Sequence, residues 1–255
     1  AVPSIVEPVM EGVTVVRDDS GQWRPDLSNS ITHQLKPEYQ AKKILDLSDV
    51  PEAAWQQVKA VRLGAYFMVR DYSWKDNPPA NGLDEAFEVV VNGKAHCFAT
   101  NCGAPVYAEG KGPSIAWYDL PLPKEAFTRG VNEVIFRKAE GAKYDDYLYL
   151  GIDNSVRRGN SSVTFDGKKW EGEKLTIPGG GGEYLVRLYL ISKETRTRVE
   201  WRPGLQPRLD DPAGLIGYAG GPEAVPAANG LNLAPGAGAR LEWDPAAFDG
   251  LEPLK

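Results

Sequence analysis

The sequence predicts an all-β protein: an antiparallel two-layer β-sandwich with one or two short helices and a Pro/Gly-rich C-terminal extension. Three observations carry this. Gly and Pro number 27 and 20 in 255 residues, about 18% against a usual combined share near 12%, which interrupts long helices. These breakers fall between short apolar runs, the pattern of sandwiches and barrels. Within the runs, apolar and polar residues alternate, which sorts side chains to two faces of a sheet.

Residues 13–16 are a β-branched run closed by Arg17-Asp18-Asp19-Ser20-Gly21, a turn sequence. Residues 31–35 and 43–47 read as two further strands. After them, Ser48 or Asp49 can cap a short helix. Pro51 and Glu52 suit its first turn, and Val50 and Trp55 give it an apolar side. The next block alternates clearly. Val61, Leu63, Ala65, Phe67 and Val69 fall on one face, Arg62, Tyr66, Met68, Arg70 and Tyr72 on the other. Phe87, Val89 and Val91 repeat the apolar phase and end at Asn92-Gly93, a hairpin dipeptide. Strands at 115–122, 131–137, 147–152 and 184–191 follow, and Asp166-Gly167 marks another hairpin. Trp117 and Trp170 lie within strand-like runs and are expected in the core.

From about residue 192 the character changes. Residues 203–235 are rich in Pro, Gly and Ala, flanked by strand-like runs at 197–201 and 239–243. The expected organisation is a sandwich over 1–195 and an extension over 196–255 that packs on it. A second small domain is the alternative, with so many Gly and Pro that its core would be marginal.

Charge and cysteine bound the partners. A net charge of -6 from 35 acids and 29 bases, with no basic stripe, speaks against nucleic acid. No apolar stretch approaches the roughly 18 residues of a membrane span. Cys97 and Cys102, with four residues between them, can close a small disulfide outside the cytosol or stand as two free thiols. His96 is adjacent, but the other histidine is the distant His33, so a metal site there has little material. The start, Ala1-Val2-Pro3-Ser4, carries no charged or apolar leader.

Four stretches carry a resemblance: Leu47-Ser48-Asp49-Val50-Pro51, the run from Asn81 to the Asn92-Gly93 turn, Gly130-Val131-Asn132-Glu133-Val134-Ile135-Phe136, and the run from Asp145 to Asp153. In order and spacing, over roughly residues 40 to 155, this resembles the galactose-binding-domain-like jelly rolls that accompany secreted carbohydrate-active enzymes. Its motifs are structural and bear on fold more than on ligand. The resemblance implies a jelly-roll module, a secreted or periplasmic location, and attachment to other domains of a larger carbohydrate-active protein. It also implies no cofactor beyond a structural calcium ion, for which Asp46, Asp49, Asp145, Asp146 and Asp153 are the candidate ligands. Thr164-Phe165-Asp166-Gly167-Lys168-Lys169-Trp170 resembles a single degenerate Asp-box hairpin; a propeller would repeat it.

Sugar recognition needs flat apolar faces over C–H bonds and planar polar groups against hydroxyls. Tyr72, Trp74, Asp76 and Asn77 meet both needs in one Pro-rich loop, and Tyr144 and Asp145 repeat the type before a strand. A second set is the polar sheet face: Arg62, Tyr66, Arg70, Glu88, Tyr149, Arg187 and Tyr189, if their strands are neighbours. The same residues suit a face covered by terminal segments, with Arg–Glu pairs and snorkelling stems. Two histidines and no Gly-x-Ser-x-Gly leave a Ser–His–Asp hydrolase without material. The glycines at 179–182 precede no helix and form no phosphate loop. The expected function is non-catalytic binding of a poly- or oligosaccharide. The rivals are a polysaccharide lyase or glycoside hydrolase around Arg70, Glu88 and Tyr149, and a spacer domain without ligand.

Overall fold

In the computed structural model of the chain, residues 2–10, 12–20, 25–30, 38–71, 83, 85–102, 114–139, 146–176, 179–193, 197–200, 215–220, 224–227, 230–233 and 239–243 are described. The predicted strand at 31–35 lies outside them. The chain divides into two compact units, Ala1–Lys193 and Glu194–Lys255.

Strands of the first unit are β1 (Ile5–Met10), β2 (Val13–Arg17), β3 (Pro25–Ser30), β4 (Gln40–Asp46), β5 (Ala60–Asp71), β6 (Ala86–Val91) and β7 (Lys94–Ala99). They continue with β8 (Ser114–Leu122), β9 (Val131–Lys138), β10 (Asp146–Asp153), β11 (Ser161–Thr164), β12 (Glu183–Tyr184) and β13 (Val186–Ile191). A larger sheet runs β1-β2-β13-β5-β10-β12, with β8 on β5 and β3 on β10; a smaller one runs β11-β4-β9-β6-β7. Every strand pair is antiparallel. The protein is therefore mostly β, with two sheets packed as a sandwich. No described helix is long and apolar enough to cross a membrane.

The two sheets meet through alternation. Val61, Leu63, Ala65, Phe67 and Val69 of β5 are all buried in the core cluster, as are Phe87, Val89 and Val91 of β6 and Phe136 of β9. Phe67 meets the facing sheet edge-on. Its ring lies 5.5 Å from Phe87 at 70° and 5.8 Å from Phe136 at 80°, and Tyr118 of its own sheet sits at 5.0 Å and 83°. Edge-to-face packing of this kind adds to the burial energy.

Turn chemistry sets the ends. Asn92 (φ 48°) and Gly93 (φ 84°) are both left-handed, as a two-residue hairpin between β6 and β7 requires. Asp166 Oδ1 accepts from the backbone N–H groups of Lys168 and Lys169 and from Thr164 Oγ1, closing the second hairpin. The helix α1 spans Glu52–Gln57, but neither Ser48 nor Asp49 caps it: Pro51 holds the N-cap position without a side-chain bond. Ser48 is instead held by Asp46, whose Oδ1 accepts from its N–H and hydroxyl. Among the described residues strand β1 pairs only with β2, and its register shifts between Pro8 and Met10, so it tolerates Pro8.

In the second unit, β14 (Thr197–Glu200), β17 (Gly230–Leu233) and β16 (Ala224–Ala227) form a three-stranded antiparallel sheet. Strands β15 (Leu215–Gly220) and β18 (Ala239–Trp243) form a two-stranded one.

Because Phe67 fills the junction of both sheets, Phe67→Ala is expected to cost about 3–5 kcal/mol in urea unfolding. Val131, 55% exposed, should lose no more than about 0.5 kcal/mol on truncation to Ala.

Candidate functional site

The outer face of the larger sheet is built from the other phase of β5. Register sets Arg187 opposite Gly64 and Tyr189 opposite Arg62 on one side, and Trp117 opposite Tyr66 and Asp119 opposite Gly64 on the other. Trp117 therefore stands on this face, half-buried, and not in the core expected for it. The Tyr66 and Trp117 rings meet edge-on at 5.5 Å. The Arg187 guanidinium lies 4.7 Å above the Trp117 ring. Gly64 permits this crowding, since a Cβ there would sit 2.8 Å from Tyr189 Cε2.

The cations of this face are already engaged. Arg187 makes a two-pronged bond to Asp19, Nε to Oδ2 at 2.9 Å and Nη2 to Oδ1 at 2.6 Å. Burial opposes its charge, but Asp19 outweighs burial and holds the guanidinium pKa above its usual value. Arg17 donates to Glu7 at 2.7 Å and to the Asp19 carbonyl, and Arg62 donates to Asp119 at 2.7 Å. Tyr66 is buried, which raises its pKa. The result is a stiff polar layer whose Arg62 and Arg187 forks hold carboxylates.

Of the other residues predicted for this face, Arg70 and Tyr149 stand on it and Glu88 does not. Glu88 lies on β6 in the smaller sheet, where Arg137 Nε donates to it at 2.7 Å, so it does not join Arg70 and Tyr149. Arg70 is exposed at the end of β5, opposite Tyr147, and Tyr149 pairs with Met68. Tyr72, Trp74, Asp76, Asn77, Tyr144 and Asp145 lie outside the described residues. Their segments nevertheless attach at Asp71 and Asp146, which are register partners at the end of β5 and the start of β10.

Of the carboxylates proposed for calcium, Asp145 lies outside the described residues and the other four do not converge. Asp46 is used by Ser48, and Asp49 is exposed. Asp153 accepts from Ser20 N–H and Oγ with one oxygen and from Ser155 N–H and Oγ with the other. Asp146 Oδ2 accepts from Glu85 N–H and Thr100 Oγ1. Among the described residues no three metal-ligating side chains gather. Both cysteines are free. Alternation turns Cys97 outward, on the opposite side of β7 from Phe98, whereas Cys102 packs against the core and burial pushes its thiol up to about 12. Trp170 is half-buried outside the core, with Lys42 Nζ 3.9 Å from its ring centroid.

One cluster was not anticipated. Lys43 is fully buried, with Nζ 2.7 Å from Asp18 Oδ2, 2.5 Å from Glu183 Oε2 and 3.3 Å from Ser161 Oγ. Asp18 and Glu183 are equally buried. The signal was in the strand: Ala41, Lys43 and Leu45 share a face, so the Lys42-Lys43 doublet must send one lysine inward. No protein-family model, no curated protein and no solved structure matches the chain.

Removing the Asp19 carboxylate leaves the Arg187 guanidinium without its two-pronged partner, so Asp19→Ala is expected to cost about 2–4 kcal/mol in chemical unfolding. Asp153 yields a pH prediction. Burial alone would raise its pKa, but bonds from Ser155 and Ser20 outweigh this and hold it below the usual value. Its stabilisation is thus complete above the ordinary carboxylate pKa of about 4 and is lost as pH falls through the lower folded value. The Ser20→Ala/Ser155→Ala variant should therefore lose less stability than the wild type between about pH 5 and pH 2, read from urea midpoints.

Proposed function

We propose that the protein is a non-catalytic carbohydrate-binding module of the jelly-roll kind, taking a poly- or oligosaccharide at one end of its larger sheet. In this reading it is a secreted or periplasmic module attached to other carbohydrate-active domains. Trp74 and Tyr72 stack on a sugar ring, Asp76, Asn77 and Asp145 bond to its hydroxyls, and Tyr144 belongs to the same binding set.

The observation that carries this is the pairing of Asp71 with Asp146. Two segments, each with an aromatic residue beside acids or amides, leave the sheet from adjacent strands. Paired strands lie about 4.8 Å apart, close to the width of a sugar ring, so both segments start within reach of one ligand. The middle of the outer face is a poorer reader of hydroxyls, because Arg62 and Arg187 already bond carboxylates. Water-competing sugar ligands need donors that are preorganised and unspent.

Affinity electrophoresis through gels containing neutral and acidic polysaccharides tests the reading. The wild type should be retarded by at least one of them, and Trp74→Ala should weaken that retention about tenfold or more, roughly 1.4 kcal/mol. Trp117→Ala should leave it within about twofold, since Trp117 serves the polar layer. Retention lost with Trp117 and kept without Trp74 would move the site to the sheet face. No retention by any glycan, or release of cleaved product from one, would overturn the non-catalytic reading.

A further inference from the structure

We propose that Lys43 and Asp18 condense to an intramolecular amide, an isopeptide cross-link between the two sheets, with Glu183 carrying the protons. The proposal is independent of the carbohydrate reading.

The geometry assembles the three reacting groups with no exposure to solvent. Lys43 projects from β4 of the smaller sheet; Asp18 follows β2 of the larger sheet and Glu183 opens its β12. All three side chains have 0% accessibility. The Lys43 amine touches one oxygen of each acid, at 2.7 Å and 2.5 Å, and the Asp18 carboxyl carbon is one bond beyond the oxygen it touches. The fold thus holds amine and carboxyl as an intramolecular pair, for which effective concentrations are very high.

The two acids have different surroundings. Glu183 is held as a carboxylate: Oε1 accepts from the Arg158 and Asn160 N–H groups, and Oε2 from Ser161 Oγ and Lys43. Burial alone would raise its pKa, but Lys43 and these donors outweigh it and lower the value. Asp18 is poorly served. Its Oδ2 is ion-paired with Lys43 at 2.7 Å and accepts from Asn160 Nδ2 at 3.2 Å, while its Oδ1 is buried with no hydrogen-bond partner. A half-satisfied buried carboxylate is costly, and so is a buried ammonium held to it. Conversion of this pair to a neutral amide removes both charges from the interior.

The step balances without a redox partner. Glu183 takes a proton from the Lys43 ammonium and passes it to the Asp18 carboxylate. The neutral amine attacks Asp18 Cγ, forming the C–N bond, and Asn160 Nδ2 donates to the oxygen that gains negative charge. Glu183 then moves a second proton from nitrogen to the departing hydroxyl. The C–O bond breaks and one water leaves. Ammonium and carboxylate become amide and water, and Glu183 ends as the carboxylate it began.

Intact mass under denaturing conditions tests this directly. The wild type should weigh one water less than its sequence, about 18 Da. Lys43→Arg and Asp18→Ala should show their full sequence masses. Tandem spectra of a digest should place a branch between residues 18 and 43, and trypsin should leave the bond after Lys43 uncut. Glu183→Gln, shown folded by circular dichroism, should keep the full mass; retention of the water loss in that variant would remove Glu183 from the step. A wild type of full mass overturns the cross-link. So does a water loss mapped to Asp166-Gly167, where an alkali-labile succinimide gives the same mass change and hydroxylamine cleaves the chain.

Discussion

The strict two-residue period of β5 is the constraint on which the rest of the first unit depends. Twelve residues long, this strand has β8 along one edge and both β13 and β10 along the other. Its odd phase supplies Val61, Leu63, Ala65, Phe67 and Val69 to the core. Its even phase supplies the outer layer. Slipping the strand by one residue would send Arg62 and Arg70 inward and expose Phe67, reversing both layers at once. The edge shared by two partners needs one further device. Leu185 sits where they part, accepting from Tyr66 N–H and donating to the Gly151 carbonyl. A Cβ at Gly151 would come within 2.6 Å of Tyr66 and 2.9 Å of Leu185, so glycine lets the strands close there.

Polar groups then decide where strands stop. Asn132, fully buried, holds the turn before β9 by donating to the Thr128 and Gly130 carbonyls and accepting from Thr128 N–H and Asn92 Nδ2. Asp146 fastens the start of β10 to Glu85 and Thr100, and Tyr118 donates to the Thr100 carbonyl. Asp153 fastens its end to Ser20 and Ser155. Each of these side chains replaces backbone pairing that ends with its strand. Burying them is tolerable because nearly every oxygen and amide is used. Surface pairs such as Arg157–Glu173, 60% and 74% exposed, contribute far less to this order.

How much could be read beforehand follows from the same physics. The strands around 61–69, 87–91, 131–137 and 147–152 and the Asn92-Gly93 turn were legible, because period and turn chemistry are local. Partner order is not local. Periodicity put Glu88 on a polar face, but only the pairing of β6 with β9 and β7 shows that this face belongs to the other sheet. Trp117 misled for a related reason: alternation says which residues share a face, and a large apolar ring was assigned to the core face by its composition alone. The edge strand β1 was missed because Pro8 argues against a strand unless it pairs on one side only. The helix cap failed because Ser48 had a better acceptor two residues back. Of the proposed site, types of side chain were legible in the loops, while the attachment of both loops to one register pair needed the sheet.

Lys43 shows what local reading leaves out even when its signal is present. A lysine doublet in an alternating strand forces one ammonium toward the core, and the usual escape is to snorkel along apolar surface to water. Strand β4 denies that escape, since it lies between β11 and β9 and its inner face meets the other sheet. The charge must therefore be answered inside, and the ends of β2 and β12 bring two acids to it. An apolar pair of equal volume would satisfy the same space with less desolvation. Three ionisable groups held together by ion pairs at zero exposure are thus a poor way to gain stability as ions, and a good arrangement for chemistry between them.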